Sequence, residues 1–167
     1  TNSSAQLNVD DISRAERGVL GIAYNTGFLG INTTTPLSYE RLTVDTIGGL
    51  VVSLGGTTTN GAGVVNGGMV APWIIDRNTA SFVGYDPTAV TDTGFQPLIS
   101  SASPGAGQIS YNQIVTGATF GTGLGANDIV DFTTAAKTLN ANPTIHALRM
   151  AAFNLSPTAS FNDVTLN

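Results

Sequence analysis

The stretch NGGMVAPWIIDRNTASFVGYDPTAVTDTGFQPL, residues 66–98, holds Trp73, the only tryptophan of the chain. Short apolar and β-branched runs alternate here with polar turn residues such as Asp76–Asn78, and no 3.6-residue helical period is present. The pattern predicts three strands, at 69–75, 80–85 and 94–98. Such an alternation of short strands and turns is typical of a β-solenoid, in which short strands wind in successive coils.

The composition of the whole chain favours an all-β fold. Only 10% of the 167 residues are charged, against about 25% in ordinary soluble domains, while 41% are hydrophobic. That hydrophobic content argues against disorder, because disordered chains combine low hydrophobicity with high net charge. The chain contains 23 threonines, which suit a pleated half-buried surface, and 20 glycines, which suit turns.

Charge and cysteine content exclude several function classes. The net charge is −5 and the six basic residues are scattered, so no basic stripe is present for nucleic acid or anionic lipid. No apolar run reaches the length of about 18 residues that a membrane-spanning helix needs. Cysteine is absent, which excludes disulfides, thiol catalysis and zinc–thiolate sites. The opening residues lack the features of a signal peptide, so we expect a mature or excised product. The low lysine and charge content, with much Thr, Asn and Gly, favours an extracellular location.

Further strand-type runs are spaced along the chain and separated by turns rich in Gly, Pro and Asn. Two of them, Leu50–Val52 and Ile129–Val130, lack alternation, which suits parallel strands buried on more than one side. Parallel strands without crossover helices favour a β-helix, whose coils stack about 4.8 Å apart. The other predicted strands are 6–9, 19–24, 41–44, 50–54, 108–111, 129–132 and 164–166.

Two segments have helical character. Thr133–Asn140 is the best helix candidate, because two threonines at its start could cap it. Ile145–Phe153 also contains good helix formers, but the Asn-Pro and Ser-Pro sequences that flank it favour a strand.

An internal sequence echo supports repetition. Leu42–Ile47 reads LTVDTI, which resembles LNVDDI at Leu7–Ile12, and Asp163–Leu166 repeats the type. The interval between the starts of the first two segments, from residue 7 to residue 42, spans one to two coils of a solenoid.

The Trp73 segment resembles one that recurs in autotransporter-type repeat passengers of bacterial surfaces, in which Gly-Gly, Pro-Trp, Thr, Phe and Tyr follow in this order. The strands around it agree with that family in their order, but residues 101–125 have no counterpart. The resemblance implies a parallel β-helix on a bacterial surface and no chemical activity. The matching residues are Gly67, Gly68, Met69, Pro72, Trp73, Thr79, Phe82, Tyr85, Asp86, Gly94, Phe95, Pro97 and Leu98.

The candidate catalytic residues lack the partners that their chemistry requires. His146 is the only histidine, so it cannot form a histidine metal cluster, and we expect a structural or surface role. Asn8–Asp11 superficially resembles acidic elements of β-helical pectinases, whose Gly-His-Gly and Arg-x-Lys elements are missing here. Asp128 and Asp131 would face opposite sides of a strand, whereas a glycosidase needs two converging carboxylates. We therefore expect solvated turn acids and predict no catalytic, cofactor-binding or metal-binding residue.

Trp73 and two arginines have both structural and binding interpretations. Trp73 could stack on a carbohydrate, since an indole buries a large area and can keep one edge exposed to solvent. Its apolar neighbours favour core packing or the capping of a coil end instead. For Arg14 and Arg149, at strand edges, we expect pairing with a nearby aspartate.

The sequence therefore predicts one all-β domain over residues 1–167, a parallel β-helix or β-solenoid, with a β-sandwich surface module as the alternative. The expected function is a non-enzymatic structural scaffold, secreted or at the bacterial cell surface, for adhesion, aggregation or filament assembly. A carbohydrate-binding or carbohydrate-cleaving β-helix is the alternative function. We expect head-to-tail self-association or continuation into further repeats, with surface glycans as candidate ligands. We expect no cofactor, no nucleic acid and no membrane insertion.

Overall fold

Short strands account for all the regular secondary structure of the described residues. The structure, a computed structural model, describes residues 4–25, 28–30, 39–48, 50–51, 59–60, 63–64, 69–86, 94–103, 108–132, 135–150, 155–157 and 163–166. No helix occurs in these ranges, and the all-β prediction is confirmed. The strands are β1 (Ser4–Ile12), β2 (Leu20–Ile22), β3 (Phe28–Leu29), β4 (Tyr39–Ile47), β5 (Leu50–Val51), β6 (Thr59–Asn60), β7 (Gly63–Val64), β8 (Ile74–Asp76), β9 (Ser81–Asp86), β10 (Gly94–Pro97), β11 (Gln113–Ile114), β12 (Thr119–Phe120), β13 (Ile129–Phe132), β14 (Lys137–Leu139), β15 (Thr144–Ile145), β16 (Ala147–Met150), β17 (Leu155–Pro157) and β18 (Thr165–Leu166).

The two echo segments lie side by side as β1 and β4. The strands run parallel, and the register places like residues opposite one another: Leu7 with Leu42, Val9 with Val44, and Ile12 with Ile47. Polar side chains also pair across the two strands, since the Thr46 hydroxyl donates to the Asp11 carboxylate at 2.5 Å. β3 pairs parallel with β4 as well, and β5 pairs antiparallel with the end of β4.

The Trp73 segment forms most of a second sheet, with strand order β10–β9–β8–β2. The strand predicted at 69–75 is only partly present, because Met69 forms an isolated bridge and a turn at 72–73 precedes β8. Pro72 explains the interruption, since proline has no N–H to donate to a ladder. The strands predicted at 80–85 and 94–98 are confirmed as β9 and β10.

Two glycines allow β10 to pack closely against β3 and β4. Gly94 has a φ of +102°, and a Cβ built there would lie 2.3 Å from the carbonyl oxygen of Leu42. Gly30 has a φ of +66°, and its Cβ would lie 2.2 Å from the carbonyl oxygen of Phe95. Both positions therefore require glycine for its conformation and for its missing side chain.

From residue 108 onward, every pairing between described strands is parallel. One sheet has the order β11–β13–β16, a second has β12–β14–β17, and a third pairs β15 with β18. In the first sheet, residue 113 pairs with residue 130, which pairs on its other side with residue 148. In the second sheet, residue 119 pairs with 138, which pairs on its other side with 156. In the third sheet, residue 144 pairs with 165. Successive partners therefore follow at nearly equal intervals along the chain.

Most of the other predicted strands are confirmed within the described residues. Those at 6–9, 19–24, 41–44, 129–132 and 164–166 overlap β1, β2, β4, β13 and β18 in that order. The strand preference for 145–153 is confirmed by β15 and β16 up to Met150, and residues 151–153 lie outside the described ranges. The strand predicted at 50–54 begins as β5, and residues 52–54 also lie outside those ranges.

Two local predictions are wrong. The helix proposed at Thr133–Asn140 is contradicted by β14, which pairs on one side with β12 and on the other with β17. Pairing on both edges outweighs the weak local helix preference. The strand predicted at 108–111 is reduced to an isolated bridge between Ser110 and Ile99, and the ladder begins only at Gln113.

The buried apolar side chains form three clusters along the chain. The first lies between the two N-terminal sheets and includes Val44, Ile74, Val83, Tyr85 and Phe95. The second joins the Trp73 segment to the parallel sheets through Met69, Leu98, Tyr111, Ile129 and Ala147. The third fills the parallel region with Phe120, Val130, Phe132, Leu139 and Ile145. The sheets of the described residues are small and separate, and none closes on itself.

Candidate functional site

A buried carboxylate closes the turn between β8 and β9. Asp76, at the end of β8, is fully buried and accepts hydrogen bonds from the Asn78 backbone N–H at 2.8 Å and the Thr79 hydroxyl at 2.6 Å. The Tyr24 hydroxyl lies 3.4 Å from the same carboxylate. Burial, followed by the charge of Asp76, raises the pKa of Tyr24. Three donors therefore hold this turn closed.

A second buried carboxylate forms an ion pair within the parallel sheets. Asp131 on β13 is 1% exposed, and its Oδ1 lies 3.1 Å from Nη1 of Arg149 on β16. The register places these two residues directly opposite each other in neighbouring strands. The Ser100 hydroxyl donates to the other carboxylate oxygen. The expectation that Arg149 pairs with an aspartate is confirmed.

Arg149 also links the parallel sheets to the turn closed by Asp76. Its Nε donates to the carbonyl oxygen of Ala80 at 2.8 Å, and its Nη2 donates to that of Thr79 at 3.0 Å. The guanidinium carbon lies 5.8 Å from the centre of the Tyr111 ring, a distance that allows a cation–π contact. One side chain thus connects β16, β13 and the β8–β9 turn.

The contacts of this polar network indicate a structural role. Asp76 and Asp131 each accept hydrogen bonds from groups of the protein, and these bonds hold a turn and a pair of strands together. A glycosidase needs two carboxylates that converge on one bond. Neither aspartate lines the clefts at β1, β16 and Trp73 described below.

The clefts themselves lie along strands. One of about 230 Å³ follows β1 at Ala5–Leu7 and is also lined by Glu40 and Arg41. Another of about 230 Å³ follows β16 at Leu148–Met150 and has Ile75 and Phe82 on its opposite wall. A third, of about 210 Å³, contains Trp73.

Trp73 lies at the margin of the first core cluster. It is partly buried and packs against that cluster, as the core-packing interpretation expects. The rest of its side chain lines the third cleft together with Ser13, Arg14, Val19 and Leu20. The indole therefore has a packed side and an open side. No ion pair of Arg14 occurs among the described residues, so the pairing expected for it is not found there.

His146 lies between β15 and β16 with its ring partly buried. Its backbone N–H donates to the carbonyl oxygen of Asp128 at 2.8 Å. Its Nε2 is buried and has no hydrogen-bond partner among the described residues. Burial lowers the pKa of this imidazole. The position agrees with the structural role expected for it.

The acids singled out by sequence do not converge. Asp10 and Asp11 are exposed on β1, and Asp11 is bonded by Thr46 and Ser13. Asp128 accepts the Gly125 N–H at 2.8 Å and the Asn112 amide at 3.0 Å, in agreement with a turn acid. The expectation of a solvated turn acid is wrong for Asp131, because Arg149 allows that carboxylate to be buried.

Sequence reasoning also missed the burial of other polar residues, among them Asp76, Gln96 and Lys137. Asp76 could have been found, because an aspartate followed by Asn and Thr is typical of a side-chain-closed turn. Gln96 is fully buried on β10, and its amide nitrogen and oxygen have no partner among the described residues. Lys137 is buried on β14, with its Nζ 3.4 Å from the carbonyl oxygen of Thr116. Nothing in the local sequence marks these last two as buried.

Comparisons with protein-family models, with curated proteins and with solved structures find no match to this chain. The part of the chain that the structure describes contains no helix long and apolar enough to cross a membrane. That part also contains no group of three or more His, Cys, Asp or Glu side chains that could hold a metal ion.

Proposed function

We propose that this chain is a non-enzymatic structural scaffold, secreted or on a bacterial cell surface, that serves adhesion, aggregation or filament assembly. Its proposed architecture is a single parallel β-solenoid. Copies would associate head to tail, or the chain would continue into further repeats of the same kind. Stacked coils form such a scaffold by repetition, since each coil contacts only its neighbours.

The observation that carries the proposal is the repeated parallel stacking in residues 113–166. Strands that follow at nearly equal intervals along the chain pair parallel in three sheets. Parallel strands need a crossover connection, which is usually a helix. The connection from β11 to β13 lies wholly within the described residues and contains no helix, as expected for a solenoid coil.

The proposed location and the proposed non-enzymatic role are supported by different observations. Location is supported by the resemblance of the Trp73 segment to autotransporter-type passengers, and by the low charge and high threonine content. A structural role is supported by the contacts of Asp76 and Asp131, which hold a turn and a sheet together.

Deletion of one whole repeat tests the solenoid. Removing residues 131–148 takes out one full interval of the register, from Val130 to Leu148, so β17 should stack on β12 in place of β14. We expect this variant to keep a β-type circular dichroism spectrum and a cooperative thermal transition at a lower temperature. A matched deletion of residues 131–139 removes half a repeat and should not fold. Equal behaviour of the two deletions would contradict a repeat architecture.

Bead aggregation tests the scaffold function. Beads coated with the purified chain should clump in proportion to coating density, while albumin-coated beads should stay dispersed. A reducing-sugar assay on a panel of polysaccharides should show no turnover. Catalytic release of sugar, or dispersed beads that also fail to adhere to cells, would overturn the proposed function.

The cleft at Trp73 favours carbohydrate binding as the second candidate function. Its open indole side lies beside Arg14 and Ser13, a combination that offers a stacking face and hydrogen-bond donors to a sugar. A glycan array would detect such binding. Trp73→Ala should abolish it and Trp73→Phe should retain part of it, since only the first removes the aromatic face.

A further inference from the structure

We propose that the cleft at Trp73 binds an acidic sugar, a hexuronic acid residue of a polysaccharide, with the sugar ring against the indole and the carboxylate on Arg14. The inference rests on the carbohydrate-binding candidate of the proposed function and names the class of sugar that the cleft takes. Binding of this kind would let the scaffold adhere to a surface that carries acidic polysaccharide.

The walls of the cleft come from two segments that are distant in sequence. One is the loop from Ser13 to Val19, which joins β1 to β2, and the other is the turn that places Trp73 before β8. The parallel pairing of β2 with β8 holds the walls together, and the Leu20 N–H donates to the Trp73 carbonyl oxygen at 2.9 Å. The volume of about 210 Å³ lies below the range of about 300–1,000 Å³ typical of ligand pockets, which suits a single sugar ring.

The cleft offers an apolar face to the ring of a sugar. Trp73 is half-buried, with one part packed on the first core cluster and the rest of its side chain in the cleft. Val19 also lines the cleft and is 64% exposed. The C–H groups of a sugar ring pack on aromatic and aliphatic faces, since both surfaces leave water when they meet.

Arg14 is an exposed cation without a partner in the described part of the chain. Its guanidinium makes no hydrogen bond and no ion pair there. Arg149 differs in this respect, because its guanidinium nitrogens bind Asp131 and two carbonyl oxygens. A planar guanidinium presents two parallel N–H donors that match the two oxygens of a carboxylate. Arg14 therefore favours a sugar with a carboxylate over one with a neutral hydroxymethyl group.

A tight turn fixes the loop that carries Arg14. The Gly18 N–H donates to the Ala15 carbonyl oxygen at 3.1 Å, and Glu16 between them has a φ of +51°. A left-handed conformation is uncommon for a residue with a side chain and persists where the surrounding structure fixes it. A loop that is already ordered loses less conformational entropy when a ligand binds. The backbone at Arg14 is therefore in place beside Trp73 before the sugar arrives.

The acids close to the cleft leave its local charge positive. Arg14 is the charged residue among those that line the cleft. Asp11 precedes the loop and accepts the hydroxyls of Ser13 and Thr46. Glu16 is in the loop but does not line the cleft, and Arg17 follows it directly. The net charge of −5 includes more distant acids, whose effect is screened beyond about 8 Å at physiological ionic strength.

A matched pair of sugars tests the preference for an acid. The probes are trigalacturonate and the same trisaccharide with its carboxyl groups reduced to hydroxymethyl groups. Each is titrated into the purified chain, and the fluorescence of Trp73, the only tryptophan, reports binding. We expect the acidic sugar to bind about fivefold more tightly at low salt. Added NaCl at about 0.5 M should remove most of that difference, because salt screens an exposed ion pair.

Two arginines of the same loop give matched variants. Arg14→Gln should bind the two sugars alike, while Arg17→Gln makes the same change of charge outside the cleft and should keep the preference. Arg14→Lys should keep part of the preference, because lysine retains the charge without the two parallel donors. Both positions are exposed, and circular dichroism should show that every variant is folded.

The outcomes separate this inference from the functions on which it rests. Equal binding of the two sugars by the wild-type chain, or an equal effect of Arg14→Gln and Arg17→Gln, would overturn the acidic specificity and leave a carbohydrate site standing. If neither sugar binds, a glycan array with uronic-acid and neutral polysaccharides decides. Neutral glycans alone on the array would overturn the inference only, whereas no bound glycan would overturn the carbohydrate-binding candidate as well. Bead aggregation tests the scaffold function in either case.

Discussion

The two halves of the described chain build β-structure in different ways. Up to residue 98, antiparallel hairpins such as β8–β9 and β9–β10 stand beside parallel pairings such as β1–β4. From residue 108 onward, all described pairings are parallel. A hairpin needs only a tight turn, whereas a parallel pair needs a long connection. The N-terminal half therefore mixes local hairpins with parallel pairs that are distant in sequence, and the C-terminal half has a regular spacing.

The two halves also fill their cores differently. In the N-terminal half, Tyr85 packs edge-on against Phe95 with ring centres 5.1 Å apart, and its hydroxyl binds the backbone of Val44. In the C-terminal half, Phe120 and Phe132 pack at 5.3 Å with no polar group involved. A hydrogen-bonded aromatic pair thus joins two sheets in the first half, and a purely apolar aromatic pair packs within the core of the second.

The largest effect is expected where the halves meet. Arg149→Met removes the cation from buried Asp131 and the donors from the β8–β9 turn. Removing one partner of a buried ion pair leaves an uncompensated charge, and we expect a loss of about 3 kcal/mol in the free energy of unfolding. Urea denaturation followed by tryptophan fluorescence measures this loss, because Trp73 reports on the N-terminal half.

A double variant separates charge from packing at this junction. Asp131→Asn combined with Arg149→Met removes both charges and should recover part of the loss, since no buried charge remains unpaired. A double variant as unstable as the sum of its two singles would show that the two side chains act independently. The junction would then depend on the bonds from Arg149 to backbone carbonyls rather than on its ion pair.

A matched pair of tyrosines compares the two halves at the level of single hydroxyls. The Tyr85 hydroxyl accepts from the Val44 N–H at 3.0 Å and donates to its carbonyl at 2.8 Å, whereas that of Tyr111 has one hydrogen bond among the described residues, from the Phe82 N–H at 3.2 Å. Each buried polar group left unpaired costs about 1–3 kcal/mol. Tyr85→Phe should therefore destabilise the chain about twice as much as Tyr111→Phe in thermal and urea unfolding. Equal losses would mean that water replaces the Tyr85 hydroxyl.

Predictability from sequence also differs between the halves. The strand at Ser81–Asp86 is predictable because turn residues bound it on both sides, and that at Ile129–Phe132 because a β-branched apolar run follows the glycine-rich stretch 121–125. The echo of LNVDDI in LTVDTI reflects a true in-register pair, since like residues suit like positions in a stack. β14 is not predictable in this way, because its strand conformation depends on β12 and β17, which are distant in sequence. Local propensity carries no information about such partners.

The polar network is harder to foresee than the strands. Pairing of Arg149 with an acid is expected from the sequence, but its partner becomes evident only with the register that sets Asp131 opposite it. Opposite charges one repeat apart are a sequence feature that could have indicated this pair. No such feature marks Gln96, whose burial follows from the close approach of β10 to β3 and β4 at Gly94 and Gly30.

Gln96 offers a smaller effect of opposite sign in the N-terminal half. Its amide is fully buried and unpaired among the described residues, which opposes folding because the amide loses its bonds to water. Gln96→Met keeps the length of the side chain without the polar atoms, and we expect a gain of about 1 kcal/mol in stability. An increase in thermal midpoint would confirm this. A decrease would show that the amide has a hydrogen-bond partner that stabilises the folded chain.

The smallest expected effect is a pH dependence in the C-terminal half. Burial lowers the pKa of His146 from its ordinary value of 6.5. The unfolded chain therefore binds a proton at this residue more readily than the folded chain does, and stability falls as the pH drops below about 6.5. His146→Gln removes the titrating group, so its midpoint should change less than that of the wild-type chain between about pH 7.5 and about pH 5.5.

The variant also separates this effect from the titration of carboxylates. All acids of the chain are shared by the two proteins, so their contribution cancels in the difference between the two midpoints. Because the imidazole is only partly buried, the difference in midpoint should be small. It should appear at pH values above the range in which aspartates titrate. Identical pH profiles would mean that protonated His146 finds water in the folded state.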